Sequence, residues 1–521
     1  MIVRLTILLL SLVSVLDAQE PVEIDVLLKN GTILDGTGSP RFVGNVGLAG
    51  DKIVGIGEFE FSGVPFTVDC SGLVIAPGFI DLHNHSDWNI VTPEMRSNLN
   101  FLTQGCTTVV TGNCGAGPVD ADAYYKKIEA NGAGTNIVHL LPQGNLRGEV
   151  IGQDDRKANT AERRKMERLA KQAMEDGVWG MSTGLIYVPS VYADTDELVS
   201  IAEVVGKEGG IYVSHMRGEG TTLLASVAEL IEIGERAKLP VHVSHFKASG
   251  KDAWGLIRQA VDMIDEARKK GQVVTADQYP YIASSTSLEA TLIPTWARAG
   301  GHDKLMQRIN SPDEGTRIRE AIERSLELKD EGRRVQFARF EKRPEWVGQN
   351  LYEVAQSEGK TPLEIALYVT ENRGASIVNF SMDEEDVRYA MQRDWVATAS
   401  DGRAAIPGSD KPHPRFYGTF PRKIGHYCLQ EEVLPLEQAI RSASGLPADI
   451  LGMKDRGYLK LGQSADVVVF DPEKLIDNAT FQDPHRYSQG VKYLFVNGTI
   501  TISDGHPTGA LAGRALRKPR P

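Results

Sequence analysis

Apolar runs of β type recur eight times through the middle of the chain, at "GLVIAPGFIDLHNH", "CTTVVTGNC", "NIVHLLPQG", "VWGMSTGLI", "GIYVSHMR", "LPVHVSHFK", "QVVTADQYPY" and "DWVATASDG". Between many of them lie helix-like stretches rich in Ala, Glu, Lys and Leu, such as "TAERRKMERLAKQAMED", "TDELVSIAEVVGKE", "TLLASVAELIEIGERA" and "WGLIRQAVDMIDEARKKG". Strands this uniformly apolar need cover on both faces. Alternation with helices therefore predicts a parallel sheet wrapped in helices, and eight such strands predict an α/β fold closed as a (β/α)8 TIM-like barrel.

The two ends of the chain read differently. Residues 23–75 alternate apolar and polar positions between Asn-Gly, Asp-Gly and Gly-Asp turn signals, and the same texture returns in "ADVVVFDPEKL", "VKYLFVNGTITISDG" and "TGALAGRAL". Two such halves flanking one barrel predict a small β-sandwich built from both chain ends. The expected partition is 22–76 for its N-terminal part, 77–445 for the barrel and 446–515 for its C-terminal part. About 110 residues separate the seventh and eighth strands, too many for a plain connection. Within them, residues 296–345 are charged and helix-prone, which predicts an inserted subdomain or lid.

Composition narrows the class. With 521 residues, 41% of them hydrophobic, the chain can bury a large core. Asp and Glu outnumber Lys and Arg by 69 to 57, and "RALRKPRP" is the sole obvious basic cluster, so there is no electrostatic footprint for nucleic acid. Residues 1–18, "MIVRLTILLLSLVSVLDA", follow the order of a secretory signal: Arg4, an apolar stretch from Leu5 to Leu16, and the small Ala18. The expectation is a periplasmic or secreted protein cleaved after Ala18. Leu16 in place of a small residue leaves an uncleaved anchor as the alternative. No later segment is apolar enough to span a bilayer, and Cys70, Cys106, Cys114 and Cys428 are too few and scattered for a disulfide framework.

In a barrel of this type chemistry collects where strands end at the C-terminal face. The first strand ends with His83 and His85, the second with Cys114, the fifth with His215, the sixth with His245 and the eighth with Asp401. Side chains alternate along a strand, so His83 and His85 point the same way, into the barrel mouth. Any one of these residues alone is ordinarily explained by packing. Six nitrogen, sulfur and oxygen donors aimed at one mouth instead match Zn²⁺, which prefers imidazole and thiolate. His139, His242, His302, His426, His485 and His506 lack such a constellation and read as packing or surface residues.

The motifs "GFIDLHNHSD", "TGNCG", "SHMRGEG", "VHVSHFKASG", "DQYPYIASST", "ATASDG" and "HPRFYGTFPR" resemble, in order and spacing, those of the D-aminoacylases (N-acyl-D-amino-acid deacylases) of the metal-dependent amidohydrolase superfamily. The resemblance covers nearly all of the chain after residue 18. It implies a tight zinc site at Cys114, His215 and His245, and a second, weaker site at His83, His85 and a shared Cys114, with Asp401 beside the metal-bound water. It also implies that Lys247, Tyr279, Ser285 and Arg415 bind a small-molecule N-acyl-D-amino acid. Cys114 takes the place of the carboxylated lysine or glutamate that bridges the metals in most of the superfamily. Relatives commonly carry a histidine at the position of Gln143, which puts acyl or side-chain preference in question.

The chemistry also stands without the resemblance. An amide carbonyl is a poor electrophile; zinc polarises it and lowers the pKa of a bound water from 15.7 to about 7. Asp401 is the candidate carboxylate that takes the proton and returns it to the departing amine, while Lys247 and Arg415 offer charge to a substrate carboxylate. A cyclic amidase of the hydantoinase or dihydroorotase kind would share the barrel and the paired histidines but would be expected to carry the bridging lysine. A non-catalytic binding protein on the same fold would be expected to have lost ligands, and none of the six is missing.

Overall fold

The computed structural model describes residues 21–520. The proposed leader, residues 1–18, lies outside that range, and no helix among the described residues is long and apolar enough to cross a membrane.

Eight parallel strands form the barrel: Phe79–Asp81, Cys106–Thr111, Asn136–His139 continued by Leu141–Pro142, Gly180–Gly184, Ile211–His215, Val241–Val243, Val274–Gln278 and Val396–Thr398. Each pairs with its sequence neighbour, the first pair with a register shift between Phe79 and Ile80. The third is interrupted at Leu140, with its first half paired to the second strand and its last residues to the fourth. The first and eighth strands meet through a parallel bridge between Asn84 and Gly402 and through backbone hydrogen bonds from Asp401 to His83 (2.8 Å) and from His85 to Gly402 (2.7 Å). Buried Asp81 reinforces this seam, accepting from the Ser400 amide at 2.8 Å and the Ser400 hydroxyl at 2.5 Å.

The outer helices arise where expected, at Thr160–Glu175, Thr195–Lys207, Leu223–Ala237 and Leu256–Lys269. Asn159 and Glu162 form a capping box at the first of these, and the Asp194 side chain caps the second. Each such cap satisfies amides that would otherwise be orphaned, worth about 1 kcal/mol. Their apolar faces, for example Ile257, Val261 and Ile264, join one large core with the strands.

Strands from both termini share one continuous, nine-stranded sheet. The junction is the antiparallel pairing of Val74–Pro77 with Val467–Phe470, and the sheet closes over a core contributed by both ends, including Leu28, Val46, Ile75, Val467 and Phe495. Only Gly78 separates Pro77, in this sheet, from Phe79, in the barrel. A Cβ there would sit 2.2 Å from the Thr107 side chain, so the switch between sheets requires glycine.

The insertion between the last two barrel strands is larger than the 296–345 read from charge and helical texture. Strands Ser284–Ser287, Val335–Arg339 and Ser376–Asn379 make an antiparallel sheet, which packs with helices around a separate core running from Leu288 to Ile377. Its first strand, "SSTS", has no apolar alternation to betray it.

Candidate metal centre

All the donors singled out by sequence converge at the C-terminal mouth of the barrel. His83 and His85 follow the first strand, and His215 ends the fifth. The first strand stops at Asp81, so alternation along it is not what aligns the two histidines; the Asn84–Gly402 bridge holds the segment extended beyond the strand. Cys114, His245 and Asp401 occupy left-handed backbone conformations, with φ of 50°, 37° and 49°. Non-glycine residues rarely adopt such values, and they cluster where a side chain must be aimed against local preference.

The distances test whether a metal fits. Tetrahedral zinc, with bonds of about 2.3 Å to sulfur and 2.0–2.1 Å to nitrogen, places those donors about 3.6 Å apart. Cys114 Sγ lies 3.7 Å from both His215 Nδ1 and His245 Nε2, and those two nitrogens are 2.8 Å apart. His83 Nε2 is 3.3 Å from the same sulfur. Three overlapping groups could each hold an ion: Cys114, His215 and His245; His83, His85 and Cys114; His83, His245 and Asp401. Imidazole and thiolate donors packed this closely in a buried site are the arrangement a borderline-soft divalent cation satisfies. Burial alone would raise the Cys114 thiol, but His83, His215 and His245 hold it well below its ordinary value, favouring thiolate. Burial would likewise raise Asp401, yet Arg415 and His83 keep it ionised.

Residues 67–502 match the amidohydrolase family. The chain belongs to this family. The D-aminoacylase of Alcaligenes xylosoxydans xylosoxydans is 34% identical over 95% of this chain and 98% of its own length. The N-acyl-D-glutamate deacylase of the same organism is 32% identical over 95% of this chain and 97% of its own. Among solved structures, the N-acyl-D-glutamate deacylase of Bordetella bronchiseptica, complexed with zinc and a phosphonate mimic of the tetrahedral intermediate, superposes with a TM-score of 0.81 at 30% identity, covering 95% of this chain and all of that one (100%).

Around the donors of this amidohydrolase sits a ring of partners that sequence reasoning missed. Glu219 lies 2.9 Å from His245 Nδ1, 2.6 Å from Lys247 Nζ and 3.8 Å from His215 Nε2. Burial opposes its charge, but Lys247 and the two histidines draw its pKa well down. Asp277 accepts from the His245 amide at 2.6 Å, pairs with His242 Nε2 at 2.8 Å and approaches His83 Nδ1 at 3.6 Å. His242 is thus more than packing, since it anchors the carboxylate that faces a metal-facing imidazole. Both acids had a sequence signal: Glu219 stands one helical turn's length beyond His215, and Asp277 interrupts an apolar strand.

Lys247, Tyr279, Ser285 and Arg415 all line one cavity of about 530 Å³ over these donors. Arg415 is buried, with Nη1 3.0 Å from Asp401, its guanidinium 4.6 Å from the Tyr279 ring centre, and Nη2 3.4 Å from the Ser285 carbonyl. Among the described residues Arg415 Nε and the Tyr279 hydroxyl have no hydrogen-bond partner, and Nη1 meets only the Asp401 carboxylate. His413, not singled out by sequence, steadies the arginine by accepting from its backbone amide at 3.0 Å. Lys247 differs from the expectation of a free cation, because its ammonium is already held by Glu219 and by the His245 carbonyl at 2.9 Å. Gln143 is fully buried, bonded to Ser190 and Glu197, while Gly144 and Asn145 reach the cavity. Its side chain does not line the cavity, which the first turn of the helix Gln143–Ile151 reaches through Gly144 and Asn145. His139 bonds Thr111 and the Pro118 carbonyl and is absent from the three donor groups.

Proposed function

We propose that this amidohydrolase cleaves the linear amide of N-acyl-D-amino acids, releasing a carboxylate and a D-amino acid. The observation that carries this reading is the union, in one cavity, of the Cys114, His215 and His245 donor set with a buried Arg415 guanidinium, oriented by Asp401 but with its Nε unbonded, and a buried Tyr279 hydroxyl that has no hydrogen-bond partner among the described residues. One end of the cavity suits an amide and the other a carboxylate. Similarity to the D-aminoacylase and the N-acyl-D-glutamate deacylase supports it.

Cys114, His215 and His245 would hold the tight zinc, with His83, His85, Cys114 and Asp401 forming a weaker second site. Zinc, when bound, supplies Lewis acidity to the amide carbonyl and to an attacking water. Arg415 and Tyr279 hold the substrate α-carboxylate, Arg415 with a two-pronged geometry, and Ser285 lies beside them. Lys247 fixes Glu219 and closes the wall next to His245. Asp401, ionised and bordered by His85 at 3.1 Å, takes a proton from water and delivers it to the departing amine. A cyclic amidase is disfavoured because the sulfur of Cys114 lies among His83, His215 and His245 where a bridging lysine would be needed.

Assay of purified protein on N-acetylated D- and L-amino acids, with hydantoin and dihydroorotate as controls, tests this function. Turnover of the D-enantiomers well above the L-enantiomers is expected; equal rates on both hands, or turnover of cyclic amides alone, would overturn it. Residues 1–18 further support export with cleavage after Ala18. N-terminal sequencing of native protein should begin at Gln19, and an intact Met1 would contradict it.

A further inference from the structure

The cavity over the metal-facing donors is lined by three carboxylates, Glu219, Asp401 and Asp410, and by five cations, Lys247, Lys329, Arg339, Arg403 and Arg415. Every carboxylate is engaged: Glu219 by Lys247 and His245, Asp401 by Arg415 and His85, and Asp410 by His485 at 3.0 Å. These pairs hold Lys247 in place and orient Arg415, whose Nε has no hydrogen-bond partner among the described residues. The outer cations are left over. Among the described residues Arg339 has only Glu341, 3.9 Å away in a solvent-exposed pair, which holds it weakly. Half-buried Arg403 packs on the Phe416 ring, 5.5 Å away, and the carboxylate that acts on it, Asp410, is bonded elsewhere. Burial lowers the pKa of Lys329 with only Asp252 to oppose it.

Arg403 and Arg339 come from different parts of the fold. Arg403 stands two residues beyond Asp401, on the loop after the eighth barrel strand, whereas Arg339 ends Val335–Arg339, an edge strand of the insertion's sheet. The Lys411 amide donates to the Ala338 carbonyl at 2.8 Å and stitches loop to insertion, and Arg403 and Arg339 line the same cavity. Like charges held together on a partly desolvated wall are costly unless an anion joins them.

We propose that Arg403 and Arg339 form an outer anion subsite that receives a second carboxylate, making N-acyl-D-amino acids with an additional carboxylate the preferred substrate class. The inference rests on the deacylase reading. The donor set engages the amide and Arg415 with Tyr279 the α-carboxylate, so what remains of the ligand to reach the outer wall is the amino-acid side chain or the far end of the acyl group. Guanidinium forks suit a carboxylate from either source.

Three substrates separate the possibilities: N-acetyl-D-leucine with one carboxylate, N-acetyl-D-glutamate with the second on the side chain, and N-succinyl-D-leucine with the second on the acyl group. For the wild type, kcat/KM on one of the two dianions should exceed that on N-acetyl-D-leucine, and the dianion that gains identifies the source. Arg403→Met should reduce the dianion-to-monoanion ratio roughly tenfold or more, as expected for loss of a charge-assisted contact, chiefly through KM. Arg403→Lys should fall between, and Arg339→Met should act in the same direction. A wild type that prefers N-acetyl-D-leucine to both dianions, or an Arg403→Met protein whose rates fall in proportion on all three, would overturn the subsite. Calorimetric binding of N-acetyl-D-glutamate, N-succinyl-D-leucine and N-acetyl-D-leucine to wild type and Arg403→Met provides a second readout. If none of the three is turned over, the deacylase reading fails, and tighter binding of one dianion that depends on Arg403, or its absence, still decides the subsite.

Discussion

The Glu219 carboxylate lies 2.9 Å from Nδ1 of His245, while Nε2 of the same ring faces Cys114 Sγ at 3.7 Å. With Nδ1–H donating to the carboxylate, the Nε2 lone pair is left free to face the donor cluster. A carboxylate behind a metal-binding imidazole fixes its tautomer and raises its basicity, and loss of such a partner typically weakens metal affinity by about 10–100-fold. Glu219→Gln should show a loss of that size for zinc in chelator competition, with activity recovered by excess zinc. Unchanged affinity would show that His245 needs no such support.

Cys114 and Asp401 should separate metal retention from proton transfer. Cys114→Ala removes both a ligand and its negative charge, so zinc and activity should be lost together. Asp401→Asn keeps the shape but cannot accept a proton. It should retain tight zinc by elemental analysis while kcat falls by about 10²–10⁴, the range for lost general acid–base catalysis. A variant turning over at the wild-type rate would remove Asp401 from the mechanism.

The barrel seam depends on Asp81, which is fully buried and accepts from the amide and hydroxyl of Ser400 and from the Asn84 side chain at 2.8 Å. Asp81→Ala leaves those donors without their acceptor, at about 1–3 kcal/mol for each group stranded in the interior. Reduced stability in denaturant is expected, together with lower kcat, because the seam carries His83 and Asp401. A midpoint equal to wild type would show that water replaces the carboxylate.

Lys423 offers a pH test away from the metal centre. Its side chain is 1% exposed and its Nζ has no hydrogen-bond partner among the described residues. Burial lowers its pKa from 10.5 to about 7, against a small upward pull from Cys428. Between those two values the unfolded chain binds more protons than the folded one, so this group lets stability rise with pH from about 7 towards 10.5; its cost is fully present below the folded pKa. Lys423→Met should therefore stabilise the protein at neutral pH and flatten the pH dependence in that window. Parallel pH–stability curves for the two proteins would contradict the assignment.

The barrel and its donor set were legible because their signals are local. Apolar runs with helix-forming intervals report strands covered on both sides, and a strand end bearing His, Cys or Asp reports a mouth residue without reference to anything distant. Charge, too, needs only counting. The insertion was legible in part: its helices show in composition, but "SSTS" becomes a strand only when Ser376–Asn379 arrives to pair with it. The function of Glu219, Asp277 and His413 could not be read, since an acid or imidazole acquires a role from which ring or amide it meets across the barrel. Nor could the left-handed backbone at Cys114, His245 and Asp401, which runs against the local preference of those residues and persists only because surrounding contacts impose it. Gln143 makes the same point in reverse. It adjoins cavity-lining Gly144 in sequence, yet its side chain turns away to Ser190 and Glu197. The sequence by itself determined which elements form and which chemical groups stand at their ends, because both follow from periodicity and residue type. Tertiary structure alone decided which of those groups face one another, because distances across a barrel depend on closure of the whole ring.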